Sequence, residues 1–245
     1  MKIDVLTIFP QMFTPIKSSM LGKAEEKGIL EIEITNIRDY TQDKHNKTDE
    51  YPFGGGAGMV MTCDPIFRAL EAISAREKKI VYMSPKGPVL NQEKIETLSK
   101  EENLVVLCGH YEGIDQRILD EFEIEEISIG DYILTGGEPA AIVLIDTVAR
   151  MVPGVLKSDE SVLEESIYSG LLEYPQYTKP REYKGRTVPE VLTGGNHKLI
   201  HLWKFEQALR ITKERRPDLF QAFCSSGREL TKDEKKILEK VLELV

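Results

Sequence analysis

The stretch Asn103–Cys108, with the sequence NLVVLC, decides the fold of this chain, and the loop Gly109–Asp115 (GHYEGID) follows it directly. Its central residues are all apolar, without the alternation of polar and apolar positions that a half-exposed strand shows. A strand buried on both faces is typical of a parallel sheet covered by helices on both sides. We therefore predict a parallel-sheet strand here, with a ligand site at its carboxyl end, where open α/β sheets bind ligands.

Four further segments have the length and apolar content of strands. They are Lys2–Ile8, Leu30–Thr35, Ile80–Met83 and Ile124–Ile129. Segments with helical spacing separate them, and the strongly apolar helix Pro139–Arg150 follows the last one. Strands that alternate with helices predict an α/β domain with a parallel sheet.

Helix starts are signalled by capping residues. Asp64 followed by Pro65 predicts a helix start, and Asn91 and Asn196 are expected to cap two others. Thr231 with a glutamate three residues later forms a capping box before an apolar helical pattern. The region after residue 196 is therefore predicted to be mostly helical.

Composition indicates a folded protein. The 245 residues are 41% hydrophobic and 30% charged, with a formal net charge of −9. This hydrophobic content is higher than that of disordered chains. We find neither the pattern of a signal peptide nor 18 uninterrupted apolar residues, so we predict no signal peptide and no membrane span.

The three cysteines, Cys63, Cys108 and Cys224, are widely spaced and form no C-x-x-C pair. This spacing favours neither a disulfide framework nor a zinc knuckle, and it fits a reducing cytoplasm. His197 and His201 lack the intervening glutamate of a zinc protease motif, so we predict no metal site.

Charge is partitioned along the chain. The segment Lys179–Arg216 holds ten basic and four acidic residues, whereas Asp120–Gly170 holds twelve acidic and two basic ones. Phosphate affinity comes from clustered Lys and Arg, so any nucleic-acid site is expected in the basic segment. The alternative is that both segments are ordinary solvated surface.

Polar residues and prolines between the two regions predict a domain boundary. We expect an α/β domain at 1–157, a flexible linker at 158–179 and a small, mostly helical domain at 180–245.

A glycine-rich loop lies in Tyr51–Met59, which has four glycines in five positions. Such a loop allows positive φ angles and close approach to a ligand or RNA, although a plain hinge remains the alternative. It has neither the Gly-Lys-Ser/Thr ending of a phosphate loop nor the G-x-G-x-x-G spacing, which disfavours a nucleotide-dependent oxidoreductase.

A second glycine-rich stretch, Ser128–Glu138 (SIGDYILTGGE), leads into the apolar helix. Its glycines would expose backbone groups that can bond an adenine edge or a ribose, between apolar walls. A β-bulge with a turn is the alternative interpretation.

Several motifs occur in one order along essentially the whole chain. They are Ile8–Pro10, Tyr51–Met61, Cys108–Asp115, Ser128–Glu138, Pro153–Leu156, Gly170–Pro180 and Arg215–Leu219. Together they closely resemble the TrmD family of bacterial tRNA (guanine-N1-)-methyltransferases, which belongs to the SPOUT methyltransferases. The chain departs from the usual pattern at Ala57, where proline is common, and at Pro139, which stands one place early.

The resemblance implies a parallel sheet with a deep trefoil knot, although chains in general are unknotted. It also implies a homodimer that transfers a methyl group from S-adenosylmethionine to N1 of guanosine 37 in tRNA with guanosine at positions 36 and 37. The cofactor residues implied are Pro85, Gly109, Tyr111, Glu112, Ile129, Gly130, Asp131, Tyr132, Ile133, Leu134, Gly136 and Gly137.

Methylation at guanine N1 requires a base for its proton and a cation for the charge that develops at O6. By resemblance, Arg150 supplies the cation and Glu165 the base, at a position where the family commonly has aspartate. Glu164 and Asp159 are the alternative bases. The sequence leaves open whether a divalent cation assists.

RNA contacts also follow from the resemblance. Asp49 matches a position near the guanosine that precedes the target. We expect the tRNA backbone to contact Lys179, Arg181, Lys184, Arg186, Arg215 and Arg216. Two other functions stay open at this point: a methyltransferase of the same fold that acts on another RNA position, and a non-catalytic RNA-binding dimer.

Overall fold

A computed structural model describes residues 1–156 and 169–243. The chain divides into two compact units, Met1–Asp159 and Glu160–Val245. Each unit is described by itself.

The first unit is built on a five-stranded sheet. Its strands are β1 (Lys2–Thr7), β2 (Glu31–Asn36), β5 (Lys79–Met83), β6 (Asn103–Cys108) and β7 (Ile124–Ile127). They lie in the order β2-β1-β6-β5-β7, and every neighbouring pair is parallel. The predicted α/β architecture with a parallel sheet is confirmed. A short antiparallel pair, β3 (Asp49–Glu50) and β4 (Val60–Met61), lies outside this sheet.

Helices cover both faces of the five-stranded sheet. They are α1 (Met20–Glu26), α3 (Gln92–Leu98) and α5 (Glu138–Arg150) on one face, and α2 (Cys63–Ala72) and α4 (Gln116–Glu121) on the other. Short 3-10 helices span Pro10–Ser18, Ile37–Tyr40 and Ala75–Glu77. Leu104 and Val106 of β6 pack into the first core and Val105 and Leu107 into the second, and all four are fully buried. Burial on both faces explains the continuous apolar run of this strand.

Asn91 caps its helix as predicted, whereas Asp64 does not hold the cap position of the helix that it was expected to start. The Asn91 side chain accepts a hydrogen bond from the Lys94 N–H at 2.9 Å, which caps α3. Helix α2 begins at Cys63, so Asp64 and Pro65 lie inside its first turn and Thr62 holds the cap position.

The strand predicted at Ile124–Ile129 ends at Ile127, two residues early. Ser128 turns toward the loop after β5, where its N–H donates to Pro88 O at 3.0 Å and its carbonyl accepts from Leu90 N at 2.8 Å. These bonds replace the ladder to β5 and redirect the chain.

Within residues 169–243, the second unit contains a hairpin and three packed helices. The hairpin strands are β8 (Glu182–Tyr183) and β9 (Arg186–Thr187), a 3-10 helix spans Glu190–Thr193, and the helices are α6 (His197–Arg215), α7 (Pro217–Ser225) and α8 (Lys232–Glu243). Asn196 caps α6 by accepting from Leu199 N at 3.2 Å. The core contains Leu209, Phe220, Phe223 and Val241.

The segment expected as a linker, 158–179, is described from residue 169 onward. There Leu171 is buried in the core of the second unit, and the Leu172 N–H donates to Thr212 Oγ1 at 2.8 Å. These residues are packed because an apolar side chain and a backbone donor both find partners on α6. Pattern reading had assigned them to a flexible connection.

Cys63, Cys108 and Cys224 are all free thiols. Within residues 1–156 and 169–243, the structure contains no helix with the length and apolarity needed to cross a membrane.

Candidate active site

The carboxyl ends of β6, β5 and β7 lie side by side, and the loops that follow them enclose a cavity of about 230 Å³. Parallel strands put these ends at one edge of the sheet, where side chains and loop backbone from different strands meet. The position is the one that the buried strand Asn103–Cys108 predicts for a ligand.

Backbone hydrogen bonds hold the three loops against one another. The Ser84 N–H donates to Ile127 O at 3.0 Å, which joins the loops after β5 and β7. The Gly137 N–H donates to Gly109 O at 2.7 Å, which joins the start of α5 to the loop after β6. The cavity wall is therefore formed by fixed backbone rather than by free loop ends.

Close approach explains two of the glycines. A Cβ atom on Gly109 would lie 2.6 Å from the Tyr82 hydroxyl oxygen, and one on Gly137 would lie 3.0 Å from the Gly109 nitrogen. Any larger side chain at either position would push the loops apart.

Tyr82 of β5 lines the cavity next to Gly109 and is 7% exposed. Burial, with the charge of Glu126 as a lesser cause, raises the pKa of its phenol to about 12, although a backbone hydrogen bond with Ile114 acts in the opposite direction. The hydroxyl therefore keeps its proton at neutral pH and is available as a hydrogen-bond donor.

The start of α5 is anchored to β1 by a buried contact. Thr7 Oγ1 donates to Glu138 Oε1 at 2.8 Å and accepts from the Phe9 N–H at 2.9 Å. Burial, with the charge of Glu138 as the lesser cause, raises the pKa of the nearby Cys108 thiol well above its usual range. Cys108 is thus a protonated core side chain rather than a nucleophile.

The residues that resemblance assigns to the cofactor are brought together here. The cavity is lined by Pro85, Gly109, Tyr111, Glu112, Ile129, Gly130, Tyr132, Ile133, Leu134, Gly136 and Gly137. Asp131 is exposed and does not line it. The turn closed by Tyr132 N donating to Gly130 O at 2.9 Å carries Asp131 at its tip, which accounts for its exposure.

The glycine loop of residues 54–58 lies beside this cavity. It joins β3 to β4, and Met59 O accepts from the Glu112 N–H at 3.0 Å while the Met61 N–H donates to Gly113 O at 2.9 Å. Asp49 of β3 pairs in register with Met61. The loop and Asp49 are thereby tied to the loop after β6, within the first unit.

Of the two proposed catalytic residues, the structure describes Arg150 but not Glu165. Arg150 is the last residue of α5, is partly buried and has an interaction partner. Glu165 lies outside the described residues, as do the alternative bases Glu164 and Asp159.

The predicted RNA-contacting cations of the second unit are exposed. Four of them surround the β8–β9 hairpin: Lys179, Arg181, Lys184 and Arg186. Arg215 is exposed at the end of α6. Arg216 donates to both oxygens of Asp218, at 2.9 and 2.6 Å, so an internal carboxylate already neutralises it.

In the described part of the chain, no group of three or more His, Cys, Asp or Glu side chains is arranged to hold a metal ion. His201, one of the two histidines considered from the sequence, instead contacts Glu234 Oε1 through Nε2 at 3.1 Å.

Several cavity side chains were not predicted from the sequence, among them Tyr82, Ser84 and Glu126. Tyr82 and Glu126 are register partners on β5 and β7, and Ser84 Oγ donates to Glu126 Oε1 at 2.7 Å. Their place near the carboxyl ends of predicted strands was the available signal, but the pairing of the two strands was not visible in the sequence.

The fold and the cavity define a parallel α/β protein with a glycine-lined ligand site at the carboxyl edge of its sheet. The model of the family described as tRNA (Guanine-1)-methyltransferase TrmD matches residues 1–222. The chain belongs to this family.

Curated relatives match nearly the full length. Proteins named tRNA (guanine-N(1)-)-methyltransferase from Clostridium perfringens strain 13 and Alkaliphilus oremlandii are each 53% identical to this chain, over 240 and 250 residues. The first match covers 98% of this chain and 99% of the relative, and the second covers 98% of each. The relative of the same name from Ruminiclostridium cellulolyticum is 55% identical over 224 residues, 90% of this chain and 96% of its own.

Proposed function

We propose that this chain transfers a methyl group from S-adenosylmethionine to N1 of guanosine 37 in tRNA. Family membership and the names of the relatives support methylation of tRNA at guanine N1. The observation that carries the proposal is the cavity at the ends of β5, β6 and β7, since it gathers nearly all the residues that resemblance assigns to the methyl donor.

The chemistry of the cavity fits S-adenosylmethionine. Gly109, Gly130 and Gly136 put loop backbone without side chains in the cavity wall, and such backbone can bond the polar edges of an adenine and a ribose. Ile133 and Leu134 supply apolar wall for the ring. When bound, the donor supplies an electrophilic methyl group, and its sulfur keeps the bonding electron pair.

The chain's own residues complete the transfer. Glu165 takes the N1 proton of guanine as the new N1–methyl bond forms, with Glu164 or Asp159 as alternative bases. Arg150 donates hydrogen bonds to O6, where negative charge develops. No set of metal ligands is obligatory for this route.

The substrate tRNA is bound through its anticodon arm. Exposed cations of the second unit provide the phosphate contacts, namely Lys179, Arg181, Lys184, Arg186 and Arg215, and Arg216 contributes less because Asp218 pairs with it. Asp49 contacts the guanosine at position 36, beside the donor cavity. The segment 180–245 thus acts as the RNA-binding domain.

A trefoil knot and a homodimer complete the proposal. The path of the chain after β7 supports the knot. At Ser128 the chain bonds to the loop after β5, and at Gly137 it bonds to Gly109 at the end of β6, the strand on the far side of β5 from β7. The homodimer is supported by large apolar side chains of the first unit that are exposed outside the cavity, among them Val143 at 43% and Phe67 at 37%.

The function is tested with labelled S-adenosylmethionine and a tRNA transcript that carries guanosine at positions 36 and 37. We expect label to enter this transcript and to be lost when guanosine 37 is replaced. Equal labelling of both transcripts would contradict the assigned position and favour another RNA site, and absence of label with bound tRNA would favour a non-catalytic RNA-binding dimer.

A further inference from the structure

The carboxylate of Glu126 stands in the wall of the donor cavity without a cation. Ser84 Oγ holds its Oε1 at 2.7 Å, and no Lys, Arg or His of the described chain forms an ion pair with it. The other carboxylate in the wall is Glu112, and the one ammonium group there, Lys86, is exposed.

Its neighbour Glu125 shows the contrast. Glu125 is paired with Lys79 at 2.9 Å and Lys94 at 2.6 Å and does not line the cavity. Partial burial acts to raise the pKa of Glu125, but the bonds from the two lysines outweigh it and leave the pKa lowered. Strand β7 therefore carries two carboxylates in different settings: Glu125 is paired with two lysines outside the cavity, and Glu126 lies in the cavity wall without a cation.

The charge of Glu126 acts on another side chain of the cavity. It contributes to the raised pKa of Tyr82, its register partner on β5. A carboxylate in a partly enclosed wall is costly unless a positive group approaches it. The cavity is therefore suited to a ligand that brings a positive charge of its own.

We propose that the Glu126 carboxylate recognises the positive sulfonium of the methyl donor and favours it over the neutral thioether product. This inference rests on the proposed function. On transfer, the S–methyl bond breaks, the sulfur keeps the electron pair and becomes neutral, and the guanine N1 proton passes to the base. The attraction to Glu126 is then lost, so the spent cofactor is released more readily. Glu126 is a specificity-determining residue for the cofactor.

The test compares dissociation constants for S-adenosylmethionine and S-adenosylhomocysteine, measured by calorimetry without tRNA. Glu126→Gln keeps the size of the side chain and an oxygen that can accept from Ser84, but removes the charge. We expect the ratio of the product constant to the donor constant to fall about tenfold. Sinefungin carries a cationic amine near the position of the sulfur, so its affinity should fall in Glu126→Gln together with that of the donor.

Two matched variants separate charge from structure. Glu125→Gln removes a charge from the same strand outside the cavity and should leave the ratio within about twofold of that of the unaltered protein. Glu126→Asp keeps the charge and should also retain the ratio, even if both ligands bind more weakly. If Glu126→Gln does not fold, Glu126→Ala removes the same charge and should lower the ratio in the same way.

The outcomes are distinguishable. An unchanged ratio in Glu126→Gln, or a ratio lost equally in Glu126→Asp, overturns the role of the charge while leaving the proposed function intact. If the unaltered protein binds neither ligand, the proposed function itself fails.

Discussion

Thr7 and Glu138, 131 positions apart in the chain, form a buried hydrogen bond in which Thr7 Oγ1 donates to Glu138 Oε1 at 2.8 Å. Thr7 is fully buried and Glu138 is 1% exposed. The bond joins the end of the β1 strand to the first residue of α5, directly after the glycine pair that lines the cavity. Stability of the core and geometry of the site therefore depend on the same contact.

Replacement of this threonine tests that link. Thr7→Val keeps the shape but leaves the Glu138 carboxylate and the Phe9 N–H without their partner, so we expect a loss of about 1–3 kcal/mol in the free energy of unfolding. Urea denaturation measures it, with exposed Thr14→Val as the control. A loss no larger than that of the control would show that the buried bond contributes nothing net.

Adding a methyl group at Gly109 tests the close approach of the loops. Gly109→Ala places a Cβ 2.6 Å from the Tyr82 hydroxyl, so we expect at least about a tenfold weaker affinity for S-adenosylmethionine and a destabilisation of about 1–3 kcal/mol. Gly194→Ala is the control, because its Cβ would find its nearest atom at 3.7 Å. Donor affinity is measured by calorimetry, and equal affinity in the two variants would contradict the proposed site.

Titration of Tyr82 tests the environment of the cavity. Because its pKa is raised to about 12, Tyr82 should form no tyrosinate below roughly pH 11, whereas exposed tyrosines ionise around pH 10. The absorbance titrations at 295 nm of the unaltered protein and of Tyr82→Phe should therefore coincide up to that pH. A missing step near pH 10 in the variant would show that the phenol is accessible to water.

The capping box of α8 predicts a pH-dependent contribution to stability. Partial burial raises the pKa of Glu234, but hydrogen bonds from the Thr231 N–H, the Thr231 hydroxyl and His201 outweigh it and leave the pKa below 4.5. A lowered folded pKa means that the contribution is complete above the unfolded value and is lost as pH falls through the folded one.

Glu234→Gln should therefore cost about 1 kcal/mol at pH 7 and less at about pH 3. Chemical denaturation at both pH values measures the difference, with Glu239→Gln on the same helix as an exposed control. A cost that is equal at both pH values would mean that the charge of Glu234 does not contribute.

The catalytic assignment predicts a separation of binding from turnover. Glu165→Gln and Arg150→Ala should each reduce kcat by about a hundredfold or more, while the affinity for S-adenosylmethionine stays within about threefold. Single-turnover methylation and calorimetry measure the two quantities, with exposed Asp146→Asn of α5 as the control. Turnover near the unaltered level in Glu165→Gln would move the base to Glu164 or Asp159.

Local features of the chain were predicted from nearby residues. The caps at Asn91 and Asn196 and the capping box at Thr231 form because each needs only a polar side chain and an N–H two or three residues away. The β6 strand was equally visible, since burial on both faces leaves an uninterrupted apolar run.

Features set by distant partners were not predicted. Strand β7 ends at Ile127 because Ser128 bonds to the loop after β5, some forty residues away in the chain. The pairing of Tyr82 with Glu126 across β5 and β7 was not predicted either, because these residues lie far apart in the chain. The type of a residue does not indicate which distant side chain it contacts in the folded protein.

The alternation of strands and helices, most helix caps and the ordered motifs of the family could be read from the amino-acid sequence, because each depends on residues close together in the chain. The strand order β2-β1-β6-β5-β7 could not, and neither could the cavity in which Tyr82, Ser84 and Glu126 lie beside Gly109 and Gly137. That arrangement depends on which apolar faces pack together over long separations in the chain, and local preference carries no information about it.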